Sequence, residues 1–177
     1  MQTFVILFRG INVGGHKKMP MKTLKTALES LGYTDVETYI QSGNVVLKSS
    51  DRLAKIETDV TDVVKETFGF ECGIHVLSRD DFSAIITANP FKEATQIPKS
   101  LHVYCLKSPA INPDHEVLGA FKKEDEAYAL TDLAFYLHTP SGLGTSKLAE
   151  KIEKALKVTA TARNWNTVMA LSRLSLK

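Results

Sequence analysis

Cysteine is scarce in this chain: 177 residues contain only Cys72 and Cys105, with no CxxC spacing. That rules out a disulfide framework, fits a reducing compartment and marks both thiols as small core hydrophobes. Long apolar runs are missing as well. The N-terminal stretch from Phe4 to Phe8 falls far short of the roughly 20 residues a membrane helix needs, and no positive segment precedes it as in a signal peptide. A cytoplasmic protein with no membrane partner is therefore expected. The histidines at 16, 75, 102, 115 and 138 are scattered singly, so no metal site is expected. A GxSxG nucleophile elbow and hydrolase-type acidic pairs are absent. The sequence thus specifies no catalytic group and no cofactor.

Net charge is also small, at +2, which by itself argues for neither nucleic acid nor membrane. Its distribution says more. Residues 1–48 carry 6 Lys and Arg against 3 Asp and Glu, and residues 147–177 carry 7 against 2, whereas residues 49–146 carry 9 against 15. Basic ends brought together would concentrate anions locally; a solvated surface with chance asymmetry explains the same counts.

What is present is patterning. The run "TFVILFR" reads as a strand buried on both faces. A helix follows from Pro20, with Met21, Leu24, Leu28 and Leu31 on one face and Gly32 as its stop. "DVETYIQSGNVVLKS" reads as two strands around a Ser42-Gly43 turn. A second helix starts near Asp51, with Leu53, Ile56, Val60, Val63, Val64 and Phe68 inward and Gly69 closing it. "CGIHVLS" completes β-α-β-β-α-β. Residues 79–100 read as a connector with a short helix capped by Ser78.

The same order then returns. "LHVYCLKS" is a strand, and "NPDHEVLGAFK" is a helix with Asn112 as N-cap and Pro113 in its first turn. "EAYALTD" and "LAFYLHT" are strands, "SKLAEKIEKALK" a helix and "VTATA" a last strand, with an added helix after Asn164. The predicted fold is α+β: a tandem duplication of a ferredoxin-like unit, two α/β plaits spanning 1–78 and 101–177, with an extra C-terminal helix.

Three strand-to-helix junctions carry most of the polar residues that local structure does not require. "RGINVGGHKK" has glycines and lysines where phosphate loops lie, yet it matches neither the Walker A nor the GxGxxG pattern, and a glycine-rich turn with solvated lysines is the competing reading. Arg9, Asn12 and Lys17 are its candidates. In "YIQSGNVVL", Ser42 and Asn44 suit a turn, whereas Gln41 is not needed for one. Lys147 in "GTSKL" is placed in the first turn of a helix, where a cation is disfavoured unless an anion is near. In "TARNWNTV", Asn164 or Asn166 caps the final helix, Arg163 offers a planar fork for phosphate or carboxylate, and Trp165 either stacks a base or packs in the core.

Read together, "LFRGINVGGHKKMPM", "YIQSGNVVL", "NPF", "GTSKL" and "TARNWNTV" resemble, in order, the bacterial family catalogued as domain of unknown function 1697. The resemblance implies two tandem ferredoxin-like domains and no known activity. Family members often carry Thr-Thr-Arg-Asn-Trp-Asn-Thr, whereas Ala162 replaces the second threonine here, one potential ligand contact fewer. The leading expectation is a binding module for a phosphate-bearing ligand, nucleotide or nucleic acid, with Arg9, Asn12, Lys17, Gln41, Ser42, Asn44, Lys147, Arg163, Asn164, Trp165 and Asn166 as ligand-binding candidates. The strand "NVVLK" lacks the aromatics of an RRM-type sheet. Two alternatives stay open: a structural protein whose polar motifs hold the two domains together, and an enzyme on a phosphorylated small molecule with His16 or His138 as base. The oligomeric state is not specified.

Overall fold

A computed structural model describes all 177 residues. The chain divides into two compact units, residues 1–83 with 170–177, and residues 84–169.

The first unit contains β1 (Gln2–Arg9), α1 (Met21–Ser30), β2 (Thr34–Thr38), β3 (Asn44–Ser49), α2 (Leu53–Phe68) and β4 (Gly73–Ser78). The strands lie in the order β2-β3-β1-β4, all antiparallel. Phe4 to Phe8 are all buried, as a continuous apolar run requires of a central strand. Side-chain alternation puts Phe4, Ile6, Phe8, Val45, Leu47, Ile74 and Val76 into one core cluster with Leu24 and Leu28 of α1 and Ile56, Val60 and Val64 of α2. Burial of each such side chain stabilises by about 1.5–3 kcal/mol.

Two expected core residues are outside it. Leu31 is half exposed because α1 stops at Ser30, and Leu53 is partly exposed because it begins α2. Terminal residues lose the face that the helix interior keeps. Gly69 closes α2 in the left-handed conformation, its N–H donating to the Lys65 carbonyl.

α3 (Arg79–Thr87) follows, and the boundary between the units falls inside it. Ser78 caps it, Oγ accepting from the Asp81 N–H at 3.0 Å. The second unit continues with β5 (Leu101–Leu106), α4 (His115–Phe121), β6 (Ala127–Leu130), β7 (Ala134–His138), α5 (Ile152–Leu156), β8 (Ala160–Asn164) and the start of α6 (Trp165–Ser175). Its strand order is β6-β7-β5-β8, again all antiparallel. Tyr104, Leu106, Phe135, Leu137 and Ala160 form its core with Leu118 of α4 and Ile152, Ala155 and Leu156 of α5. From the opposite face, the Tyr136 hydroxyl donates to the Ile85 carbonyl at 2.6 Å and ties β7 to α3.

Three boundaries differ from the sequence reading. α4 starts at His115, capped by Asp114 rather than Asn112. The Asp114 carboxylate accepts from the Val117 N–H at 3.0 Å while its own N–H donates to the Ala155 carbonyl at 2.7 Å, so tertiary contact picks the cap. The helix expected over "SKLAEKIEKALK" is only five residues long, Ile152–Leu156. Upstream, Leu143–Thr145 forms a 3-10 turn, and buried Ser146 accepts from the Ala149 N–H at 3.1 Å. The Lys151 N–H then donates to the Leu148 carbonyl at 2.9 Å, an i→i+3 bond that holds the segment before Ile152 as a turn. Last, β8 runs on to Asn164, and α6 begins at Trp165. The end of α6 belongs to the first unit, where Leu174, Ser175 and Lys177 line a cavity of about 180 Å³ with Thr3, Asp35, Glu37, Val46 and Lys48.

Candidate functional site

In the first unit, the loop from Gly10 to Pro20 leaves the end of β1. Gly10, Asn12, Gly14, Gly15 and Lys17 all have φ between +47° and +77°. The His16 N–H donates to the Val13 carbonyl at 3.0 Å and the Asn12 N–H to the Lys17 carbonyl at 3.1 Å. Residues 12–17 thereby close into a miniature hairpin whose tip, Gly14-Gly15, takes the doubly left-handed turn that only such residues adopt freely. Backbone conformations of this type turn successive N–H groups toward a common point and form anion-binding concavities.

Asn12 anchors this loop. Its Nδ2 donates to the Met19 carbonyl at 3.0 Å and the Gln41 carbonyl at 2.8 Å, and its Oδ1 accepts from the Met19 N–H at 2.7 Å. The bond to Gln41 joins the loop to the hairpin between β2 and β3. There the Tyr39 N–H donates to the Asn44 carbonyl at 2.9 Å, and the fully buried Asn44 side chain donates to the Tyr39 carbonyl at 2.9 Å and to Ser42 Oγ at 3.0 Å. Gly43 is sterically obligatory: at φ +82°, a Cβ would stand 2.5 Å from Ile11 Cδ1 and 2.6 Å from Phe8 Cβ. Asn12 and Asn44 therefore act on the backbone, and Gln41 and Ser42 stand exposed at the tip. The Gln41 side chain hydrogen-bonds nothing within the protein.

Basic groups surround the loop. Arg9 is exposed at the end of β1, facing Gly73 across the sheet. Lys17 Nζ donates to the Glu71 carbonyl at 2.6 Å, and the Glu71 carboxylate pairs with Lys65 at 2.9 Å, which holds the Glu71 pKa below its usual value. The side chains of His16 and Lys18 are exposed and make no hydrogen bond or ion pair. Nearby Cys72 is half-buried, and loss of solvation raises its thiol pKa against the opposing pull of Lys17.

The candidates of the second unit are placed differently. Lys147 is exposed but lies in no helical first turn, because α5 begins only at Ile152, so its charge opposes no helix dipole. Asn164 is the cap of α6, its Oδ1 accepting from the Thr167 N–H at 3.0 Å. Trp165 is 7 % exposed, so little of the indole is open to a ligand. Arg163 is half-buried on β8 opposite Val103, and its Nη1 donates to the adjacent Ala162 carbonyl at 2.8 Å. Desolvation lowers its pKa to about 10, partly countered by Cys105, so the guanidinium is still charged at neutral pH. Asn166 is exposed. On the other face, His102 pairs in register with Asn164 and is 9 % exposed; its Nδ1 has no hydrogen-bond partner, and desolvation lowers its pKa.

The structure thus joins Asn12 to Gln41, and Asn44 to Ser42, within one unit. It also brings forward residues the sequence reading passed over, Val13 and Ile40. Both are exposed β-branched residues, at 67 % and 52 %, beside the Asn12–Gln41 bridge, and Ile40 has φ +49°. A β-branched residue at the edge of a Ser-Gly turn is the only trace of this in the sequence. No group of three or more His, Cys, Asp or Glu is arranged to hold a metal ion, and no helix is long and apolar enough to cross a membrane.

No protein of curated function matches the chain. A conserved bacterial protein from Streptococcus pneumoniae, SP0830, has a similar structure, with a TM-score of 0.73 and 24% sequence identity over 98% of each chain. The family described as proteins of unknown function, DUF1697, matches residues 1–136. That span takes in the Gly10–Pro20 loop and the Tyr39–Asn44 hairpin and stops short of "GTSKL" and "TARNWNTV". With more than three quarters of its length matched, this chain belongs to the DUF1697 family.

Proposed function

We propose that the protein is a binding module for a phosphate-bearing ligand, received by the Gly10–Lys17 loop of the first unit. The observation that carries this reading is the combination of five left-handed residues, a loop fixed by the three side-chain bonds of Asn12, and exposed cationic side chains on the same segment. A rigid loop presents its N–H groups without reorganisation, and lysines nearby attract the anion. The framework is read as two ferredoxin-like plaits, residues 1–78 and 101–177, joined by 79–100. The matching strand orders of the two sheets support that duplication. In this reading the phosphate contacts are the loop backbone, Lys17, Lys18 and Arg9, with Gln41 and Ser42 beside them.

A second reading concerns the C-terminal block. The capping role of Asn164 and the burial of Trp165 favour a structural purpose for "TARNWNTV".

The test is a thermal-shift titration with inorganic phosphate and nucleotides at low and high salt. A ligand at about 100 times its dissociation constant adds about 2.7 kcal/mol and raises Tm by several degrees. The rise is expected to shrink with added salt and to be lost in a Lys17→Ala/Lys18→Ala double variant. A rise unchanged in that variant would remove the loop as the binding site.

A further inference from the structure

The exposed Ile40 breaks a strong local rule. Left-handed positions in hairpin turns belong to Gly, Asn or Asp, because a branched Cβ collides with the backbone there. Ile40 nevertheless sits at φ +49°, with half its surface in solvent. It therefore gains little from burial to offset the strain. Its backbone is held by its neighbours: Tyr39 is bonded to Asn44 in both directions, and Gln41 is held through its carbonyl by Asn12. Strain kept in place by surrounding bonds on a solvent-facing side chain points to a purpose outside the fold.

Val13 shares the exposure and the branched side chain of Ile40, though not its left-handed backbone. It is 67 % exposed and opens the Gly14-Gly15 turn. Asn12 and Gln41, the two residues joined at 2.8 Å, are the chain neighbours of Val13 and Ile40. The bridge therefore brings the two aliphatic side chains to the same end of the first sheet as the basic loop. Next to Ile40 in the chain is Gln41, whose exposed side-chain amide is a donor and an acceptor with no bond inside the protein.

Resting on the phosphate reading above, we infer that the ligand is a mononucleotide, its phosphate on the Gly10–Lys18 loop and its base against Val13 and Ile40 with the base edge hydrogen-bonded by Gln41. Inorganic phosphate or a sugar phosphate would leave both aliphatic side chains and the amide in water. A flat heterocycle has the apolar faces and the donor and acceptor edge that these three residues complement.

The test is calorimetric titration of the full chain with adenosine 5′-monophosphate, ribose 5-phosphate and inorganic phosphate, repeated for Ile40→Asn and Val13→Thr. The nucleotide is expected to bind at least about tenfold tighter than ribose 5-phosphate, the worth of roughly 50 Å² of apolar contact. Each substitution is expected to weaken the nucleotide by about tenfold while leaving ribose 5-phosphate unchanged. Ile40→Asn should also hold or raise Tm, since asparagine tolerates the left-handed backbone. Equal affinity for the nucleotide and ribose 5-phosphate would overturn the inference and leave the phosphate reading standing. Unchanged nucleotide binding in Ile40→Asn, or a marked fall in its Tm, would overturn it too. Absence of binding to all three probes would sink both readings together.

Discussion

The two sheets share one strand order but spend their backbone differently. In the first unit, β1 passes to α1 through the long Gly10–Pro20 loop, and β2 passes to β3 through a hairpin containing Ile40 and Gly43 at positive φ. In the second, β5 reaches α4 without a single left-handed residue, and β6 turns into β7 through Thr131, whose hydroxyl and amide both bond to Ala134. Of all left-handed residues in the chain, only Gly142 and Lys157 lie in the second unit. Such conformations are costly away from glycine and tend to collect where a protein meets its ligand. This unequal strain within similar architecture is what places the proposed phosphate site in the first unit, the second being the more regular of the two.

The sharpest way to break this comparison is a pair of glycine substitutions. Gly43→Ala places a Cβ against Ile11 and Phe8 at a left-handed φ, and is expected to cost about 3 kcal/mol. Gly144→Ala, in the second unit, meets nothing within 4 Å and is expected to stay within about 0.5 kcal/mol of the parent. Urea denaturation of both variants reads the difference, and similar midpoints would undo the claim. Asn12→Ala comes next. It removes three hydrogen bonds and leaves the Met19 N–H and the Gln41 carbonyl without the partner they had, for an expected loss of about 1–3 kcal/mol. Asn166→Ala, exposed in α6, is the control and should be near neutral. Amide hydrogen exchange should show the loosening of Asn12→Ala confined to the 10–19 and 39–43 segments. Spread of the effect to the second unit would count against it.

The smallest effect is expected from pH, and it belongs to the second unit. His102 is buried neutral with its pKa lowered by desolvation. The unfolded chain, with an ordinary imidazole near 6.5, binds a proton that the folded chain refuses. Its contribution to stability is therefore complete above about pH 6.5 and is lost as pH falls toward the lowered value. His102→Gln should flatten that part of the stability profile. An unaltered slope in the variant would assign the acid sensitivity to other groups.

Much of this was legible in the sequence. Leu24 and Leu28, or Ile56, Val60 and Val64, are spaced for one helical face, and all are buried. Leu31 and Leu53 carry the same spacing signal, but periodicity does not register where the helix ends. The short α5 was hidden for a related reason: Leu148 and Ile152 repeat helically and are buried, while the Lys151 N–H bonds the Leu148 carbonyl three residues back and holds the chain between them as a turn. Of the site, composition showed a glycine-rich basic loop and a polar hairpin. The bond from Asn12 to a carbonyl 29 residues away was out of reach, because local pattern carries no information on contacts at that range. Gly43 read as turn chemistry, whereas its neighbours Ile11 and Phe8 make it a steric necessity. "TARNWNTV" drew attention as a cluster of hydrogen-bonding side chains, and part of that cluster goes to capping a helix whose first residue is a buried indole.

The membership of residues 170–177 in the first unit has a consequence for synthesis. As the chain leaves the ribosome, residues 1–83 emerge first but lack the segment that completes their unit. Residues 84–169 are contiguous and have all their parts as soon as they emerge. The unit made first is thus the one finished last, its closure delayed until the final turns of α6 are released.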